Sequence, residues 1–185
     1  IPPSTRPIQP RQGLPGLRAI ARYTDQIWPV PRSQVPALVG VAGLRDLGAP
    51  QEGLQRGFRL GSRLCLAIES EREGHLLLLD EGTSGKVYCL CPSHFAPDTH
   101  LPAGRSYLPQ PGSPHDSFLV TGEPGREHLL AVISDEPLGL DWLPADPKTP
   151  ARVLSAKDVE QLLAALDKLA GDRWLALSTY LDVLE

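Results

Sequence analysis

Between residues 58 and 134 the chain is a series of short apolar runs broken by glycine, proline and aspartate, and no other feature narrows its fold as much. Alternation at Leu64, Leu66 and Ile68, the continuous run 76–79, and alternation at Val87, Cys89 and Cys91 read as three consecutive β-strands. Phe118 with Val120, then Leu129, Ala131 and Ile133, continue the series. Turn chemistry separates the runs at Glu73-Gly74, over 80–85 and at Glu123-Pro124-Gly125. The pattern predicts a compact antiparallel β module.

The 185 residues suit one domain with extensions and are enough to bury a real core. A formal charge of −4 argues against retention on nucleic acid by general electrostatics, and 5% aromatic residues leave few stacking platforms for single strands. Three cysteines, Cys65, Cys89 and Cys91, are an odd number. Cys89 and Cys91 are expected on one face of one strand, a geometry that rarely closes a disulfide, so the thiols read as reduced and buried in a cytoplasmic protein. No apolar run is long enough for a membrane span, and no secretory leader opens the chain. It starts at Ile1 and contains no methionine, which reads as a piece of a longer protein with its targeting information upstream.

Four regions follow from the pattern: a Pro-rich linker over 1–15, an N-terminal extension over 16–50, the β module over 51–138, and a C-terminal helix and strand over 139–185. Within the extension, Leu17, Ile20, Ala21, Thr24 and Trp28 predict a helix over 17–28, stopped by Pro29 and Pro31. Leu38, Val39 and Val41 suggest a strand within 35–44, and 48–57 is a connecting loop. After a crossing segment over 136–150, Ser155 with Asp158 is an N-cap signature. Val159, Leu162, Leu163, Leu166 and Leu169 keep helical period to the stop expected at Gly171. The tail alternates at Leu175, Leu177, Thr179, Leu181 and Val183, which favours a final strand, with an amphipathic helix as the alternative. The expected fold is mainly β: an antiparallel sandwich of about seven strands with the C-terminal helix packed on it.

Several constellations suggest chemistry and have plainer readings. Gly82-Thr83-Ser84-Gly85-Lys86 evokes a phosphate loop, but two residues separate the glycines, Val87 follows the lysine, and a strand continues where a helix is needed. It is a hairpin turn. Cys89 and Cys91 with His94 lack the C-x2–4-C spacing of structural zinc sites, so core packing is the plainer reading and a metal-binding domain the alternative. Either cysteine with a histidine would make a hydrolase or thiol enzyme, although no activating helix terminus or strained elbow accompanies them. Ser134-Asp135-Glu136 reads as the polar end of a strand. His75 and His128, both at strand starts, suggest one polar edge. The Pro-, His- and Asp-rich stretch 93–112 reads as the longest irregular segment of the module, and it contributes His94, Asp98, His100 and Arg105 as candidate interaction residues.

The order of these segments carries a resemblance. It runs Gly57-Phe58-Arg59-Leu60-Gly61, Gly74-His75-Leu76, Gly85-Lys86-Val87, Leu90-Cys91-Pro92, Leu101-Pro102-Ala103-Gly104, Leu108-Pro109 and Pro124-Gly125-Arg126-Glu127. Over residues 55–138 the chain resembles a bacterial β-sandwich domain of unknown function, often attached C-terminally to caspase-like peptidases or serine/threonine kinases. In place of that family's usual large apolar residue, Pro and Asn, this chain has Cys91-Pro92-Ser93. The resemblance brings no catalytic residues or cofactor. It implies a non-catalytic regulatory or protein-binding module in a bacterial signalling or defence protein, partnered by another protein or a tethered effector domain. The thiol enzyme, the metal-binding domain and a structural spacer remain the alternatives.

Overall fold

The computed structural model describes residues 13–35, 55–143, 148–169 and 173–185. Most of the Pro-rich linker, the strand expected within 35–44, the greater part of the 48–57 loop and the Gly171 stop lie outside these residues.

The described chain opens with helix α1 (Gly13–Ile20), strand β1 (Arg22–Tyr23) and strand β2 (Ile27–Pro31). Strands β3 (Gly57–Arg59), β4 (Arg63–Ser70), β5 (Gly74–Glu81) and β6 (Val87–Cys91) follow. Next come β7 (His100–Leu101), β8 (Gly104–Leu108), β9 (Phe118–Leu119) and β10 (Gly125–Ser134). Strand β11 (Arg152–Leu154), helix α2 (Ala156–Asp167) and strand β12 (Trp174–Leu184) complete the fold.

These strands form two open sheets. The larger has the order β1-β12-β10-β5-β6-β11, with β3 also paired to β12 and β7 to β5; the smaller has the order β2-β4-β8, with β9 also on β4. The chain is mainly β with two helices, but two expectations need correction. Twelve strands are present among the described residues, not about seven. The larger sheet is mixed: β1 and β3 run parallel to β12, while β10 pairs with β12 antiparallel from Gly125 to Ser134. The C-terminal strand thus takes a central place, with β10 on one side and two short N-terminal strands on the other.

The predicted 17–28 helix is also corrected. Helix α1 starts earlier, with Pro15 in its first turn where a missing N–H sacrifices no bond, and it ends at Ile20. Ile27 to Pro31 instead pair with Ile68 to Leu64 on β4. Trp28 is a strand residue, and Pro29 and Pro31 are tolerated because β2 lies at a sheet edge.

Alternation along the strands builds two cores. Leu64, Leu66 and Ile68 of β4 meet Leu76, Leu78, Leu129, Ala131 and Leu177 between the sheets. On the other face of the larger sheet, Leu77, Leu79, Leu130, Val132 and Ala176 pack under Leu14 and Leu17 of α1 and Leu162, Leu163 and Leu166 of α2. The capping box sets where α2 begins: Ser155 Oγ accepts from the Asp158 N–H at 3.1 Å, and Asp158 Oδ2 accepts from the Ser155 N–H at 2.9 Å.

Candidate functional site

The inward face of the larger sheet is apolar along most of its length and turns acidic at one end. On β5, Asp80 continues the phase of Leu76 and Leu78. On β10, Glu127 continues the phase of Leu129 and Ala131. The antiparallel register places Leu129 opposite Asp80 and Leu181 opposite Glu127, so the two acids are diagonal neighbours on adjacent strands. A cavity of about 310 Å³ opens here between the sheets, within the range of small-ligand sites. Leu66, Leu90, Phe95, Phe118, Leu129 and Leu181 give it apolar walls. Asp80, Glu127, Tyr88 and Thr149 supply polar groups, and the β5–β6 hairpin with the 119–122 segment forms part of the rim.

Both carboxyls are raised above their ordinary values. Burial raises the pKa of Asp80 well above its ordinary value, and the negative charge of Glu127, a hydrogen bond to it and the charge of Glu81 raise it further. Burial also raises Glu127, while the hydrogen bond with Asp80 acts the other way. Of the two, Asp80 is the one raised well above its ordinary value. Asp80 Oδ1 is fully enclosed and makes no hydrogen bond among the described residues, and the same is true of Thr149 Oγ1. A buried polar oxygen without a partner is costly. Among the described residues, no lysine, arginine or histidine lines the cavity.

The residues singled out from the sequence do not converge. His94 is exposed, its N–H bonded to Pro150 O and its carbonyl accepting from Ser113 Oγ at 2.7 Å. Asp98 and His100 meet, with the His100 N–H donating to Asp98 Oδ1 at 2.9 Å, and the His100 ring lies 3.4 Å from Glu73. Arg105 belongs to the smaller sheet, where it pairs with Glu69 at 3.0 Å and lies over the Trp28 ring. The 93–112 stretch is not wholly irregular, because it contains β7 and β8 and carries the chain from one sheet to the other.

The histidine edge is corrected as well. β5 and β10 are antiparallel, so His75 lies opposite Ser134 and His128 opposite Glu81, at opposite ends of the pair. His75 neighbours His100 instead. Cys89 and Cys91 do not share a face. A register shift opposite Leu78 and Leu79 turns Cys91 into the core between the sheets and Cys89 into the core under the helices. All three cysteines are free and buried. Burial pushes the Cys65 thiol up to about 11 and the Cys89 thiol up to about 12, and raises Cys91 also. Among the described residues no three His, Cys, Asp or Glu side chains cluster to hold a metal ion, and no helix is long and apolar enough to cross a membrane. The 82–86 stretch is the expected hairpin turn, with the Gly82 N–H bonded to Lys86 O and Gly85 at φ +84°.

Sequence reasoning missed Asp80 and Glu127 because each sits beside turn residues, where an acid needs no explanation. The available signal was phase: each acid occupies the next inward position of an apolar alternation.

Residues 57–137 match the family model of a domain of unknown function, DUF4384. The glycine, proline and strand order that suggested a domain of unknown function is supported to that extent. The matched stretch contains both acids and the hairpin, whereas Thr149 and Leu181 reach the cavity from beyond it. No curated protein and no solved structure matches the chain.

Proposed function

We propose that this chain is a non-catalytic regulatory module whose receiving site is the cavity between its two sheets. The carrying observation is the cavity itself: apolar walls, a few converging polar groups and an enclosed acceptor, set on a rigid β scaffold. The buried, high-pKa thiols support the non-catalytic reading, since a thiol nucleophile works as thiolate. The two-sheet layering supports a β-sandwich. The resemblance to a bacterial domain carried by peptidases and kinases supports a cytoplasmic signalling or defence protein, in which the module is tethered to an effector and acts on it or on another protein partner.

A pair of buried carboxyls with raised pKa also suits acid–base chemistry, so the test has to separate binding from turnover. A Cβ at Gly82 would meet Tyr88 at 3.8 Å and Glu127 at 4.0 Å, ordinary contacts, so Gly82→Leu projects a side chain into the mouth while keeping the acids. A small-molecule library is screened by ligand-observed NMR against the native chain and this variant. Compounds that bind the native chain, are lost with Gly82→Leu and stay chemically unchanged are expected. Compounds that are consumed, with consumption lost in Asp80→Asn, would make the protein an enzyme. Binding indifferent to Gly82→Leu would move the site elsewhere.

A further inference from the structure

The chemistry of the cavity selects its ligand. Its ionisable wall is acidic: Asp80 from β5, Glu127 from β10, and the Tyr88 phenol from β6. Among the described residues, those that line the cavity bring no positive charge. Leu181 of β12 stands opposite Glu127, Leu64 and Leu66 come from β4, Phe118 and Leu119 from β9, and Thr149 from the segment before β11. Glu81, the next residue along β5, turns to the other face and is held by Arg18 at 3.0 Å. Lys86 is exposed on the hairpin. Burial raises both acids, and a negative charge on the pair in this apolar enclosure is what burial opposes unless a cation joins it.

Two oxygens in this wall, Asp80 Oδ1 and the Thr149 hydroxyl, also make no hydrogen bond among the described residues, and both can accept from a ligand donor. A carboxylate or phosphate ligand would add negative charge and bring no donor. A neutral alcohol brings one donor and no charge. An ammonium group brings three donors, a positive charge and no acceptor that would itself need a partner. We propose that this cavity takes a small organic amine, its ammonium head held by Asp80, Glu127 and Thr149 and its apolar body against Leu66, Leu90, Phe118 and Leu129. This rests on the reading of the cavity as the receiving site, and adds to it the class of ligand. An ammonium head favours the ionised pair, so affinity rises with pH through the range in which these acids ionise.

The test uses three probes of one shape, benzylammonium, benzyl alcohol and benzoate, titrated into the isotope-labelled chain by NMR. Benzylammonium is expected to shift resonances of β5, β6 and β10, with benzyl alcohol weaker by about tenfold or more for want of charge-assisted bonds. Benzoate is expected to leave them unmoved. Asp80→Asn and Glu127→Gln should each weaken benzylammonium by about tenfold. Thr149→Val, which keeps both acids, should weaken it severalfold and decides the matter if an acid variant does not fold. Equal affinity for the alcohol, preference for benzoate, or amine binding untouched by all three variants would overturn the amine and leave the cavity standing. Silence of the cavity resonances toward every probe would overturn the receiving site itself.

Discussion

The two faces of one sheet end meet their acids in opposite ways. On the outer face Glu81 and Asp182 each have an arginine: Arg18 lies 3.0 Å from Glu81, and Arg126 lies 2.8 Å from Asp182 while stacking 3.9 Å over the Tyr180 ring. On the inner face, Asp80 and Glu127 face each other and a cavity that no cation lines among the described residues. Asp80 adjoins Glu81 in sequence, and Glu127 adjoins Arg126. The strand's two-residue period sends neighbours to opposite environments, so the adjacent acids Asp80 and Glu81 acquire different chemistry. Outer acids neutralised by arginine are what a solvated β surface needs. Inner acids without a cation are what a stable core avoids, and their placement points to binding.

The largest effect expected from this contrast compares adjacent leucines on β10. Leu130 is buried under the helices in a packed core, whereas Leu129 is equally buried but forms part of the cavity wall. Leu130→Ala should cost about 2–5 kcal/mol, because its removal opens a new hole in close packing. Leu129→Ala enlarges a space that already exists and should fall at or below the lower end of that range. Urea unfolding of both variants measures the difference. Equal losses would mean that the two faces are packed alike.

Next comes the pH dependence, which should have opposite signs on the two faces. Folded Asp80 keeps its proton above the ordinary value of 3.8 at which the unfolded chain releases it. Between those two points the native state binds more protons, so stability falls as pH rises, by up to about 1.4 kcal/mol per pH unit for the one group. Asp182 is held below 3.8, first by its hydrogen bond from Arg126. Its contribution is present above 3.8 and is lost as pH falls through the lower folded value. Unfolding curves from about pH 3 to 8 should show Asp80→Asn gaining on the native chain as pH rises, and Asp182→Asn losing. Parallel curves for the three proteins would break the comparison.

How much of this was legible follows from where the information lay. The strands around Leu64, Leu76, Leu129 and Leu177 were readable because each carries its own alternation, and α2 because its period and its Ser155–Asp158 cap are local. The identity of Trp28 as a strand residue was not readable, since β2 exists through its pairing with β4 and its own sequence holds two prolines. The separation of Cys89 from Cys91 depends on a register shift against β5, a property of the pair of strands and not of either one. The cavity needs residues from β5, β6, β10 and the segment before β11 to meet. Spacing along the chain cannot show that, although the phase of Asp80 and Glu127 marked both as facing inward.

The smallest effect concerns Arg105, which stood out in the sequence as part of a polar loop. It sits away from the cavity, on the smaller sheet, with its guanidinium 5.1 Å over the Trp28 ring and 3.0 Å from Glu69. Both contacts are those of a satisfied, partly exposed cation, which contributes little individually. Arg105→Ala should lower stability by about 0.5–1 kcal/mol, chiefly through lost cover on Trp28. It should leave ligand affinity at the cavity unchanged, since Arg105, Glu69 and Trp28 are not among the residues that line it. Tryptophan fluorescence and the benzylammonium titration, run on the same variant, measure both halves. A change in affinity without a change in stability would join the two sheets' outer and inner surfaces into one site, and would dissolve the distinction between paired and unpaired charge drawn above.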